Sequence, residues 1–263
     1  MGRHSFPEFN HKTGVTVYLV FLTALGVGGA TVVGSLIGFL FKNISHKFSD
    51  FTLSLASGIM LAASVLGLVL PSLEYGGRFG ILYAVGGIFS GALTISLIDR
   101  AVPHFHRIIV RDAKGKDVDR VLLFVAAIAI HNLPEGIAAG VGFGSGEVLD
   151  ALLIAGGIAL QNLPEGMVII SPMLAAGIPP AKTLLIAIFT GVIEIVGTFI
   201  GYFAVRISVA VLPFVLAFAG GTMLFVISDE MIPETHSDGN ESGATYALLL
   251  GFSIMLALDF ILG

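Results

Sequence analysis

The 263-residue chain has no cysteine. That excludes a disulfide framework, a thiolate metal site and a cysteine nucleophile. Charge is scarce too: Asp, Glu, Lys and Arg make up 12% of residues, against about 25% in soluble proteins. Apolar residues reach 56% and the mean hydropathy is +0.97. So little polar surface excludes an ordinary soluble domain and implies an integral membrane protein. The net charge is −5 with no basic stripe, which argues against nucleic acid as a partner. No nucleotide-binding signature is present, so nothing points to ATP drive. A His-Glu-x-x-His zinc-protease motif is missing as well.

What is abundant is hydrocarbon and glycine. A membrane helix needs about 20 largely apolar residues. Eight segments qualify, at about 14–41, 49–73, 79–98, 120–141, 148–170, 182–205, 209–230 and 243–262. The first is too long for a signal-peptide core and is expected to be retained. The expected architecture is an all-α, eight-span membrane protein in a single transmembrane domain over 1–263. The 34 glycines read as close helix packing, because small residues let backbones approach in lipid. Gly34/Gly38, Gly87/Gly91, Gly140/Gly144 and Gly197/Gly201 are spaced for that role. Loops after odd-numbered spans hold Lys42, Lys47, Arg100, Arg107, Arg111, Lys114, Lys116, Arg120 and Lys182, whereas the opposite side holds Arg3, Lys12, Arg78 and Arg206. The positive-inside rule therefore puts both termini outside the cytoplasm of a multi-pass cell-membrane protein. The longest loop, about 99–119, is expected to be cytoplasmic and carries His104 and His106.

Ionisable residues inside the spans cluster. Span four contains His131-Asn132-Leu133-Pro134-Glu135-Gly136, and span five repeats it thirty residues later as Gln161-Asn162-Leu163-Pro164-Glu165-Gly166. Span six adds Glu194. A charged side chain at a helix centre costs about 2.5–3.5 kcal/mol, so three carboxylates facing lipid would cost on the order of 8–10 kcal/mol. They must face the bundle interior, a cavity or a bound cation. His131 and Glu135 share a helix face at i,i+4, as do Gln161 and Glu165. Pro134 and Pro164 lack an N–H and release the carbonyls of Ile130 and Leu160, a way of building ion sites within spans. Carboxylates, an imidazole and amides without thiolate suit a borderline divalent ion such as Zn²⁺ better than Ca²⁺ or Mg²⁺. Met60 in span two offers a thioether. Asp229, Glu230 and Glu234 near the end of span seven either line an exit path or cap the helix. The metal is read as transported substrate, with no prosthetic group. A metal-gated membrane sensor and an intramembrane metallo-enzyme are the alternatives.

These residues resemble the ZIP family of zinc and iron transporters, prokaryotic branch. The likeness rests on the doubled motif, on Glu194, on Gly58-Ile59-Met60-Leu61-Ala62-Ala63-Ser64 and on Ser228-Asp229-Glu230-Met231-Ile232-Pro233-Glu234. It implies eight helices, with one to three and six to eight as inverted repeats around Pro-kinked helices four and five. It implies import of Zn²⁺ and related ions (Cd²⁺, Fe²⁺, Mn²⁺, Co²⁺) into the cytoplasm, an elevator-type movement and a possible homodimer. On that pattern Met60, His131, Glu135, Gln161 and Glu165 form the primary metal site. Asn132, Asn162 and Glu194, sharing Glu135 and Glu165, form a second. Some relatives carry Asp at the position of Asn162. An amide bridges two ions less well than a carboxylate, so one tight site and a weaker second one are expected.

Overall fold

The computed structural model describes residues 13–41, 45–109, 116–143, 148–207, 209–237, 239 and 241–262. Long helices carry almost all of them: α1 (Thr13–Leu40), α2 (His46–Tyr75), α3 (Gly80–Ile109), α4 (Lys116–Gly142), α5 (Val148–Ala175), α6 (Pro180–Ile207), α7 (Leu212–Thr235) and α8 (Glu241–Leu262). No strand occurs among the described residues. Among the described residues, seven helices are long and apolar enough to cross a membrane. The other, α4, has 27 residues, about 40 Å at 1.5 Å per residue.

The long polar loop expected at 99–119 is shorter than that. Helix α3 runs on to Ile109 and α4 begins at Lys116. Charge ends the apolar stretch but does not end the helix, since Arg and Lys are good helix formers. The side chains of His104 and His106 lie outside the described residues.

Polarity is inverted relative to a soluble protein. Glu194 is 0% exposed, whereas Phe89 on α3 is 72% and Phe260 on α8 is 87% exposed. Such a surface is solvated by hydrocarbon, and the polar groups are solvated by each other.

The helices pack in pairs that follow a rule. Helix α1 packs on α5, and α4 on α6; α3 packs on α7, and α2 on α8; α2 also touches α5, and α4 touches α7. The pairs α1/α6, α4/α5 and α2/α7 make the other extensive contacts. Exchanging α1 with α6, α2 with α7, α3 with α8 and α4 with α5 leaves this set unchanged. Since each exchanged pair runs in opposite directions, the molecule is two inverted repeats, α1–α3 and α6–α8, around α4 and α5. An inner quartet of α1, α4, α5 and α6 is flanked by the pairs α3/α7 and α2/α8.

Glycine contacts fix the register of the exchange. Gly28 of α1 and Gly191 of α6 each lie against the other's backbone, so a Cβ on either would collide with the partner's carbonyl. Gly34 lies against Leu163, and Gly197 against Leu133; Gly166 lies against Thr31, and Gly136 against Glu194. Each contact has its counterpart one repeat away. The expected close packing is thus a set of seams inside the chain: Gly87 and Gly91 meet α7, and Gly140 meets α6. Gly144 lies outside the described residues.

The flanking helices share a second feature. Both α2 and α7 widen into a π-helical stretch, Ala63–Val69 and Ile227–Met231, ahead of Pro71 and Pro233. Proline cannot donate to the preceding turn, and the local rewinding accommodates that loss.

Candidate metal centre

The doubled motif lies where α4 and α5 cross α1 and α6. Gly136 and Gly166 let the motif helices settle onto the backbones of Glu194 and Thr31. That approach buries the six polar members of the motif and Glu194 of α6: Asn132, Glu135, Gln161, Asn162 and Glu194 essentially completely, and His131 and Glu165 nearly so. Pro134 and Pro164 lie inside helices that continue past them.

Glu194 is the hub of one hydrogen-bonded group. Its Oε1 accepts from Thr31 Oγ1 at 2.7 Å and from the Asn132 side-chain amide. Its Oε2 accepts from Asn162 Nδ2 at 2.6 Å. Asn162 Nδ2 also reaches the Val27 carbonyl at 3.2 Å. A second pair joins the motif helices, with Gln161 Nε2 donating to Glu135 Oε1 at 2.7 Å. A third link leaves the quartet: His131 Nε2 stands 2.9 Å from Glu230 Oε1 on α7.

Those bonds consume donors and leave acceptors over. Asn132 Oδ1, Glu135 Oε2, Gln161 Oε1, Asn162 Oδ1 and Glu165 Oε1 are buried without a hydrogen-bond partner. These five oxygens cluster in the doubled motif, whereas Ser54 Oγ and Thr183 Oγ1, also buried without a partner, stand apart from it. An isolated buried acceptor costs about 1–3 kcal/mol, and a set of them in low dielectric is a site that attracts a cation.

Among the described residues, no three His, Asp or Glu side chains already stand together as a metal cluster. The acids are spaced by amides: Glu194 is wrapped by two asparagines and a threonine, and Glu135 is held by Gln161. Met60 is 1% exposed on α2, in the apolar core with Ala138 of α4 and Ile227 and Met231 of α7. It borders the quartet from the flanking side. Asp229 and Glu234 are exposed on α7.

Two participants were not singled out from the sequence. One is Thr31, with the Val27 carbonyl beside it. The other is Glu230 as the partner of His131. A signal for Thr31 existed. Gly28-x-x-Thr31-x-x-Gly34-Ser35-x-x-Gly38 matches Gly191-x-x-Glu194-x-x-Gly197-Thr198-x-x-Gly201 residue for residue. The threonine occupies the place of the glutamate in the other repeat.

Comparison with known proteins identifies the family. The model of a family described as ZIP Zinc transporter matches residues 111–259. The chain is 36% identical to zinc transporter GufA of Myxococcus xanthus, over 92% of this chain and 98% of that protein. It is 36% identical to zinc transporter ZIPB of Bordetella bronchiseptica, over 89% of this chain and 78% of that protein. It is 34% identical to zinc transporter ZupT of Chlorobaculum parvum, over 91% of this chain and 96% of that protein.

Proposed function

From the premise that this chain belongs to the ZIP zinc-transporter family, and so moves metal across a membrane rather than catalysing a reaction, we propose that it imports Zn²⁺ and neighbouring divalent ions into the cytoplasm. The five unpartnered motif oxygens carry this reading. Paired donors and acceptors would make a structural network. Surplus buried acceptors make a receptor for positive charge. Zn²⁺ is the principal substrate on ligand chemistry, because imidazole, carboxylate and amide oxygen suit a borderline ion. Cd²⁺, Fe²⁺, Mn²⁺ and Co²⁺ are accepted by the same donors.

His131, Glu135, Gln161 and Glu165, with Met60 from α2, form the primary site. The amides of Asn132, Gln161 and Asn162 offer a switch. Turned as they are, their N–H groups satisfy the carboxylates. Rotated, they offer oxygen to an ion, because the two ends of an amide have the same shape and opposite polarity. Asn132, Asn162 and Glu194 form the weaker second site.

Transport follows an elevator-type alternating-access cycle in which α1, α4, α5 and α6 carry the ion past α2, α3, α7 and α8. The hydrogen bonds among Thr31, Asn132, Asn162 and Glu194 hold that quartet as one body. Both termini face away from the cytoplasm, in line with the Lys and Arg count. The bilayer and a second copy of the chain are its proposed physical partners.

The test is influx of a panel of divalent ions into proteoliposomes, with wild type beside Glu165→Ala and His131→Ala. Saturable Zn²⁺ influx that both substitutions abolish is the expected result. Equal flux through all three would reduce the motif to a structural role. Binding without flux would favour a sensor.

A further inference from the structure

Most donors of the doubled motif turn inward. Asn132 and Asn162 reach Glu194, and Gln161 reaches Glu135, all within the inner quartet. His131 does not. Its Nε2 crosses to the flanking helix α7, where it stands within hydrogen-bond distance, 2.9 Å, of Glu230 Oε1. The imidazole is nearly buried, at 8% side-chain exposure, while Glu230 is 30% exposed. The pair therefore stands at the boundary between the closed site and an opening.

We propose that Glu230 sets the affinity of the site by competing with the transported ion for Nε2 of His131, and so drives release toward the cytoplasmic end. The inference rests on the reading of His131 as a ligand. An imidazole nitrogen that donates to a carboxylate carries its hydrogen there and has no lone pair for a metal. The two states of Nε2 are mutually exclusive. Met60 belongs to the same apolar core as Ile227 and Met231, the buried residues that flank Glu230 along α7.

The internal twofold shows that this arrangement belongs to one end of the site. The exchange that pairs Pro71 with Pro233 and Gly58 with Gly220 puts Leu68 in the register of Glu230, just as it puts Gln161 in the register of His131. Leu68 is fully buried in the apolar core. One end of the site thus has a histidine beside a half-open carboxylate. The other has a glutamine in register with a sealed leucine. An ion moving toward α7's end loses its imidazole to Glu230. At the other end the equivalent position holds hydrocarbon and no competing group.

A ligand that helps hold the ion and a group that competes for a ligand give opposite signs on deletion. Equilibrium binding of radioactive Zn²⁺ to the purified full-length protein in detergent reads that sign. Glu230→Gln and Glu230→Ala are compared with wild type, each also in a His131→Ala background, with initial uptake rates in proteoliposomes. Two variants of different size keep the test open where one folds poorly. Competition predicts binding about tenfold tighter in both Glu230 variants, the factor expected for loss of one charge-assisted hydrogen bond. It also predicts a lower maximal uptake rate with a lower KM, and no affinity gain when His131 is already alanine. Weaker binding in the Glu230 variants would overturn the inference, because Glu230 would then support the ion or orient the imidazole. A gain that survives in the His131→Ala background would overturn it too. Wild-type affinity in His131→Ala alone is a separate outcome: it removes His131 from the site and fails the functional reading on which this rests.

Discussion

Glu194 receives three hydrogen bonds from residues that come from three different helices. Its carboxylate oxygens are met by N–H and O–H groups, which leaves little call for a second ion. Asn162 is the point at which that balance tips. Replacing it with aspartate exchanges a donor for a carboxylate beside Glu194. Two carboxylates facing each other in low dielectric cannot both stay ionised without a cation between them, and Zn²⁺ can take the place of the proton they would otherwise share. Asn162→Asp is therefore expected to raise bound Zn²⁺ from one to two per chain, measured as metal content after equilibration and gel filtration. At this scale the chemistry was readable in advance wherever it was expensive. A carboxylate in a membrane span announces itself by its cost, so the burial of Glu135, Glu165 and Glu194 was expected from the sequence, as was that of His131. Thr31 was passed over because a hydroxyl is cheap in a helix and bonds to its own backbone at will. Only its hydrogen bond to Glu194 distinguishes it from Thr94 or Thr198, which bond within their own helices.

Between elements, contact depends on which glycines sit in a crossing. Gly28 meets the backbone of Gly191, while Gly29, the next residue along, has open space where a Cβ would go. A side chain at the first forces α1 away from α6 and should cost about 1–3 kcal/mol as overpacking. At the second it should be neutral or gain up to about 1 kcal/mol of helix propensity. Thermal unfolding of Gly28→Ala and Gly29→Ala in the same detergent checks the pair, with only the first expected to fall. The existence of the helices was plain from hydrocarbon runs alone. Their partners were not, because in lipid every apolar face looks alike and glycine spacing recurs too often to nominate a seam. The matching Gly-x-x-Thr and Gly-x-x-Glu strings of α1 and α6 become informative once the two are known to touch. The extension of α3 to Ile109 has a related cause: hydropathy reports where the bilayer ends, and the helix obeys a different rule.

For the molecule as a whole, the distribution of positive charge and the exchange symmetry make separate statements. The symmetry says that the two faces are built alike. The charge is the ground for the proposed choice of which faces the cytoplasm. The absence of cysteine makes the orientation simple to measure, since any thiol introduced is unique. Arg78→Cys, ahead of α3, is expected to react with a membrane-impermeant maleimide on intact cells. Lys47→Cys, at the start of α2, is expected to react only after permeabilisation. The reverse pattern would invert the proposed topology and, with it, the direction of import. The pairing of α2 with α8 has one more consequence, for biosynthesis. Gly58 packs against the backbone of Leu248, which emerges from the ribosome roughly 190 residues later, on the order of 10–40 s at 5–20 residues per second. Throughout that interval α2 waits in the bilayer with its packing seam uncovered. The nascent chain is then a client for whatever shields membrane helices from premature association, and the arrival of α8 is what ends the wait.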